Sequence, residues 1–274
     1  MGIVNVTPDS FADGGHYRRY GEAETHARRL LDEGADILDI GGESTRPGAA
    51  PVSDDEELQR VMPLLERLAG CGKPVSIDTR KPRVMHAAIA AGAAMINDVD
   101  ALRTPGALQT LAASNAAVCL MHMQGQPGTM QSAPRYGDVV AEVLAYLAAR
   151  ITACRAAGIA DERLVIDPGF GFGKSLDHNL SLLRGLERFA SLRVPLLAGL
   201  SRKGMLGKLT GRPVDQRVHA SVAAALAAAS RGAAILRVHD VAATVDALKI
   251  WHAAGLDRIG TDAPSDAVGT QNVT

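Results

Sequence analysis

Asp78, Asn97 and Asp167 form one set of side chains with an obvious chemical use, and Lys203, Arg237 and His239 form another. An ionised carboxylate accepts two parallel hydrogen bonds in a fork, so two carboxylates flanked by a carboxamide suit a planar heterocycle that presents adjacent N–H donors. Lys and Arg supply the donors that a phosphate or diphosphate demands, and Ser201-Arg202-Lys203 with Arg237-Val238-His239 concentrates them late in the chain. Two subsites are implied, one acidic and one cationic. A single Asp or Asn is more often a helix cap or turn former. Here the polar positions recur, as Asn5, Asp39 with Glu43-Ser44-Thr45-Arg46, Asp78, Asn97-Asp98, His122, Asp167, the 201–203 group, and Arg237 with His239.

These positions share a setting, because each follows or ends a short apolar run of strand length. The runs start near Gly2, Ile37, Pro74, Met95, Ala117, Leu164, Pro195 and Ile235, and segments of helical periodicity separate them. Gly34, Gly92, Gly158 and Gly232 stand where a helix needs a left-handed C-terminal residue, and Ser53 with Glu56 three residues later makes a capping box. Runs such as 117–121 and 195–200 are apolar without alternation, the pattern of strands buried on both faces in a parallel sheet. Eight such units in about 250 residues predict an α/β fold, a single (β/α)8 TIM barrel over residues 1–256. The polar, aperiodic stretch 257–274 is expected to be a disordered tail. Long connections are expected at 7–20, 41–52 and 123–137, and loops of this length are commonly functional. In such a barrel the strand C-termini carry the active site, and the loops after the last two strands commonly hold phosphate.

Composition narrows the classes. The chain of 274 residues has 29 Lys plus Arg against 30 Asp plus Glu, so there is no basic footprint for nucleic acid or an anionic membrane. Hydrophobic residues make up 47% and aromatics 3%, which predicts an aliphatic, alanine-rich core and excludes a disordered or fibrous chain. Cys71, Cys119 and Cys154 form no C-x-x-C pair, which argues against a disulfide framework or structural zinc and fits a reducing cytoplasm. Neither a basic leader nor an apolar window of membrane-spanning length is expected. The run Gly169-Phe170-Gly171-Phe172-Gly173-Lys174-Ser175 ends like a nucleotide-binding loop, but Pro168 stands where the first Gly is required. His122, alone after a strand, reads as a hydrogen-bonded core residue rather than a metal ligand.

Seven ordered motifs carry a closer likeness: the opening run MGIVNVTPDSF, GGESTRPGA at 41–49, Ser76-Ile77-Asp78-Thr79, Ile96-Asn97-Asp98, DPGFGFGK at 167–174, Ser201-Arg202-Lys203, and Arg237-Val238-His239-Asp240. Over nearly its whole length the chain resembles the bacterial dihydropteroate synthases, the folate-pathway enzymes that sulfonamides inhibit. The likeness implies joining p-aminobenzoate to 6-hydroxymethyl-7,8-dihydropterin diphosphate with Mg2+ present, the C–O bond ionising before the aniline attacks. It implies that Asp78, Asn97, Asp167 and Lys203 bind the pterin, with Asp167 and Lys203 catalytic. Asn5 would hold the metal and, with Thr45, Arg237 and His239, the diphosphate. Thr45, Arg46, Pro47 and Phe172 would line the p-aminobenzoate subsite, closed by loops around 9–14 and 45–47. A homodimer is the implied assembly, with small molecules as partners.

The sequence departs from the family at Gly204, where Ser is common and lies near the p-aminobenzoate carboxylate; backbone or water would take over that contact. Ala12 and Ala220 replace a usual Ser and a usual Gly, and the lead-in that commonly covers the barrel bottom does not precede the first strand. The competing readings are a pterin-binding methyltransferase barrel, which has no need of a diphosphate cradle, and a pterin-binding paralogue without turnover.

Overall fold

The computed structural model describes residues 1–6, 16–44, 51–125, 129–131 and 133–256. Among them eight parallel strands run in chain order: β1 (Gly2–Asn5), β2 (Leu38–Gly41), β3 (Val75–Asp78), β4 (Met95–Asp98), β5 (Ala117–Met121), β6 (Leu164–Asp167), β7 (Leu196–Ala198) and β8 (Ala233–Leu236). The sheet closes on itself where Ile3 N donates to Val238 O at 3.0 Å and Val238 N donates to Met1 O at 2.9 Å. The fold is therefore a (β/α)8 barrel. Closure also explains the continuous apolar runs, since helices cover the outer face and side chains fill the inner one.

The glycine signals are met where they were expected. Gly34, Gly92, Gly158 and Gly232 all have positive φ, between 86° and 97°, a region that costs a residue with a Cβ. Each ends a helix: α1 (His16–Asp32), α3 (Pro82–Ala90), α5 (Val139–Ala156) and α8 (Val218–Ala229). The start of α2 (Asp54–Arg67) differs in detail. Ser53 Oγ accepts from Glu56 N at 3.2 Å, but the Glu56 side chain pairs with Arg60 instead of reaching back. Only half of the expected capping box forms. The expected connection at 7–20 is shorter, because α1 already begins at His16; β8 starts at Ala233, two residues before the β-branched Ile235 that signals it.

Side chains alternate along each strand, which sorts the barrel wall into two surfaces. Leu38, Ile40, Ile77, Ile96, Val118, Leu120 and Ile166 join the large outer core with the helices. Met95, Cys119, Val165 and Leu197 form a small apolar cluster of their own inside the barrel. The polar residues sit on that interior layer's upper side. No helix among the described residues is long and apolar enough to cross a membrane.

Candidate active site

Register places the acidic residues beside one another. Asn5 lies level with Gly41, Gly41 with Asp78, and Asp78 with Asn97; Met121 on β5 pairs with Asp167 at the end of β6. The C-terminal rim therefore carries Asn5, Asp78, Asn97 and Asp167 on inward-facing positions. Gly41 keeps the space between them open, since a Cβ there would come within 3.7 Å of both Asn5 Oδ1 and the Asp78 side chain. Asp98, next to Asn97, points the other way. It is buried on the outer surface and accepts from Asp100 N at 2.8 Å and Leu102 N at 2.7 Å, fixing a turn in which Ala101 and Leu102 have positive φ. Burial pushes its carboxyl up to about 7 despite those two donors.

The cations lean into the same mouth, so the acidic and basic sets interlock. Arg237, just after β8, donates from Nε to Asp39 Oδ2 at 2.6 Å and from Nη2 to Asp78 Oδ2 at 2.8 Å. Asn97 Nδ2 donates to the same Asp39 oxygen at 3.1 Å. Burial raises the Asp78 carboxyl, and the Arg237 guanidinium opposes it. Asp167 is raised by burial in the same way, with the Lys203 ammonium opposing. Burial, with help from Arg237, lowers Lys203 to about 8, while the charge of Asp167 holds it up. These are the electrostatics of a site that keeps both signs of charge out of water.

Lys203 reaches the mouth because Arg202 before it adopts φ 58°. Arg202 turns outward to Asp240, with Nε 3.0 Å from Oδ2, and its N–H donates to Ser221 Oγ at 2.9 Å. The next side chain is thereby directed inward, where Lys203 Nζ donates to Phe170 O and stands 4.8 Å from the centre of the Phe172 ring. His239 folds over the neighbouring turn, its Nδ1 3.0 Å from Ser201 Oγ. The glycines of DPGFGFGK let the β6 loop lie against β5: Asp167 Oδ1 accepts from Gly169 N at 2.7 Å, and Phe172 packs on Val99, Met121, Met123 and Met130. His122 is, as expected, a core residue, buried and bonded to Lys174.

Asn5, Asp78, Asn97, Asp167, Phe172, Lys203, Arg237 and His239 thus all belong to the C-terminal end of the barrel. Thr45, Arg46 and Pro47 lie outside the described residues, as do the loop around 9–14 and the tail 257–274. Both flanks of the 45–50 segment are tied to one cation: Lys81 Nζ is 2.6 Å from Glu43 Oε2 and from Glu57 Oε2, and 2.7 Å from Val52 O. No local sequence signal marks Lys81, because its partners Glu43, Val52 and Glu57 lie 24 to 38 positions before it in the chain. Asp39 carries the same polar signal as the rim residues, yet it sits a layer lower, level with Ile3 and Ser76.

For a metal, the donor set is informative. No group of three or more His, Cys, Asp or Glu among the described residues is arranged to hold an ion. The described residues of this mouth offer no all-protein cage. A hard cation that keeps water and takes one carboxamide oxygen together with phosphate oxygens does fit Asn5 beside the gap at Gly41.

A model of the pterin binding enzyme family matches residues 1–239. The chain belongs to the pterin-binding enzyme family. A dihydropteroate synthase of Neisseria meningitidis serogroup B is 56% identical over 264 residues, covering 94% of this chain and 93% of that protein. Two solved structures of Xanthomonas albilineans dihydropteroate synthase superpose closely. The one with 4-aminobenzoic acid has a TM-score of 0.88 at 60% identity, covering 93% of this chain and 92% of that one. The one with 7,8-dihydropteroate has a TM-score of 0.85 at 57% identity, with the same coverage.

Proposed function

We propose that this chain is a dihydropteroate synthase, condensing p-aminobenzoate with 6-hydroxymethyl-7,8-dihydropterin diphosphate to give 7,8-dihydropteroate and diphosphate. The observation that carries the reading is the meeting of Asp78, Asn97 and Asp167 with Lys203 and Arg237 in one barrel mouth. The likeness to the Neisseria and Xanthomonas synthases supports it.

In this reading the pterin lies on the acidic floor, its ring N–H groups donating to Asp78, Asn97 and Asp167. An electron-rich dihydropterin shares positive charge at its exocyclic carbon, so the C–O bond to diphosphate breaks with both electrons going to oxygen. Asp167 faces the cation that develops, and Lys203 with the remaining donors of Arg237 faces the departing anion. Both are preorganised charges that need little rearrangement as the bond breaks. Asn5, Thr45 and His239 complete the diphosphate cradle. Mg2+, when held by Asn5 and the diphosphate oxygens, supplies further positive charge to the leaving group. Thr45, Arg46, Pro47 and Phe172 hold p-aminobenzoate, whose neutral amine attacks the carbon and then loses a proton. An amine nucleophile needs no base to activate it, which suits a floor whose carboxylates are engaged in hydrogen bonds. Three uncoupled thiols fit a cytoplasmic enzyme, and a homodimer is the assembly that accompanies this reading.

The test is direct: mix the protein with the pterin diphosphate and Mg2+ and follow diphosphate release with and without p-aminobenzoate. Release that depends on the amine and yields 7,8-dihydropteroate supports the reading. Methyl transfer to a corrinoid, or pterin binding without release, would replace it with one of its rivals.

A further inference from the structure

We infer that Asp39 is a positioning residue for the pterin subsite: its buried carboxylate fixes which end of the Asn97 carboxamide meets the ligand and ties Arg237 across the acidic floor. The inference rests on the proposed pterin site and concerns a residue that touches no ligand there, since Asp39 has no exposed surface. It lies one layer below the rim, beneath Asn97 and Arg237, which both donate to its Oδ2.

The chemistry of that shared oxygen decides the polarity of the pocket. An ionised carboxylate only accepts, so it can pair with Asn97 only through the amide nitrogen. The opposite rotamer would set Asn97 Oδ1 against a carboxylate oxygen, two acceptors in contact. Because the carboxamide is planar, committing Nδ2 to Asp39 turns Oδ1 away from it, and the end left for a ligand is an acceptor. An acceptor is what a ring N–H requires. The same oxygen holds Arg237 Nε, which sets the guanidinium so that Nη2 reaches Asp78 Oδ2. One buried carboxylate thereby orients two of the groups assigned to the substrate.

Packing alone gives no reason for a buried ion pair at this position, since apolar side chains can replace such a pair without loss of stability. The interior cluster formed by Met95, Cys119, Val165 and Leu197 is apolar. Asp39 Oδ1 is buried without a hydrogen-bond partner, as is the hydroxyl of Ser76 at the paired register position on β3. Leaving a buried acceptor unsatisfied is costly, and such a cost is commonly kept where function depends on the group.

The test replaces the carboxylate with an amide of the same shape. In D39N, binding of 6-hydroxymethylpterin by calorimetry and KM for the pterin diphosphate should weaken about 10- to 100-fold, the loss expected when a buried polar contact is mispaired. KM for p-aminobenzoate at saturating pterin diphosphate should stay within about twofold of wild type, an effect a general loosening of the barrel would not produce. In an N97A background the effect of D39N on pterin binding should shrink, because residues that act through one another are not additive. If D39N does not accumulate as folded protein, D39S, which leaves room for a water, is read in the same way. Wild-type pterin affinity in D39N, an undiminished effect in N97A, or equal losses for both substrates would overturn the inference while leaving the synthase reading intact. Failure of the wild-type chain to bind the pterin at all would remove both.

Discussion

Lys174 Nζ stands 2.9 Å from His122 Nδ1, with Gly169 O at 2.9 Å, Phe172 O at 3.0 Å and His122 O at 3.3 Å. Every one of these partners is uncharged. Burial lowers the Lys174 ammonium to about 7, and burial together with Lys174 keeps His122 near 3, so the imidazole is neutral, and against the ammonium form of Lys174 its Nδ1 accepts. The resemblance of this segment to a nucleotide-binding loop is thereby explained in structural terms: the lysine curls back to hold its own loop. Lys174→Met removes the donor and leaves buried carbonyls without it, but it also removes the cost of burying an ammonium, so the net change at pH 7 does not isolate the lysine. The pH dependence is more specific. Between about 7 and the ordinary value of 10.5 the unfolded chain binds this proton more tightly than the folded one, so Lys174 makes stability rise with pH over that window. Urea unfolding at pH 7 and pH 9 should show a smaller rise in the variant, and an unchanged rise would remove Lys174 as its source.

Lys203 governs a second pH effect, on turnover. Its buried ammonium loses its proton near 8, below the ordinary lysine range. If the charged form stabilises the departing diphosphate, kcat/KM for the pterin diphosphate should fall as pH rises through that value. Lys203→Arg keeps the charge at every accessible pH, so its profile should stay flat on the alkaline side even at a lower rate. Lys203→Ala and Asp167→Asn should each lose about two to three orders of magnitude in turnover, the scale of removing one transition-state stabiliser. Near wild-type rates in either variant would take that residue out of the mechanism.

Gly169 and Gly173 let the β6 loop reach its neighbour. A Cβ on Gly169, at φ +71°, would lie 1.9 Å from His122 O, and one on Gly173, at φ +62°, would lie 2.3 Å from Gln124 O. Backbone cannot yield as a flexible side chain does. Alanine at either position should therefore displace the loop that carries Phe170 and Phe172, costing about 3 kcal/mol or more and most of the activity. Gly158 is the control: it also has positive φ, +86°, but nothing lies within 4 Å of its Cβ position. Gly158→Ala should cost only about 1 kcal/mol. Melting temperatures that rank the three variants equally would refute the steric account.

Much of this arrangement is legible in the sequence because its signals are local. Apolar runs report strands buried on two faces, and a glycine after a helix reports a left-handed turn; Gly34, Gly92, Gly158 and Gly232 each mark a real helix end. Polar residues at run ends identify the rim, and the register brings Asn5, Asp78, Asn97 and Asp167 to it. What the sequence hides is set by the stagger of the closed sheet and by which way a side chain turns. Asp98 carries the same strand-end signal as Asn97 yet faces the outer core. Arg237 and Asp39 are 198 positions apart, and no spacing rule joins them. Charges that separate neatly along the chain, acids first and cations last, interleave in space because a barrel places its last strand against its first.

Gly204 offers a final test, of the second substrate's place. It opens α7 (Gly204–Thr210) directly after Lys203, and a Cβ there meets nothing within 4 Å. Serine is thus sterically free to enter, and in a helix it should add a few tenths of a kcal/mol over glycine. The resemblance to the dihydropteroate synthases implies serine at this position, with its hydroxyl toward the p-aminobenzoate carboxylate. Lys203, the preceding residue, already stands over Phe172, one of the groups proposed to line that subsite. Gly204→Ser should therefore lower KM for p-aminobenzoate about two- to tenfold, the worth of one added hydrogen bond, with KM for the pterin diphosphate unchanged. Steady-state kinetics with each substrate varied in turn separates the outcomes: a shift in the pterin constant instead would move residue 204 to the other side of the site, and no shift in either would detach it from both.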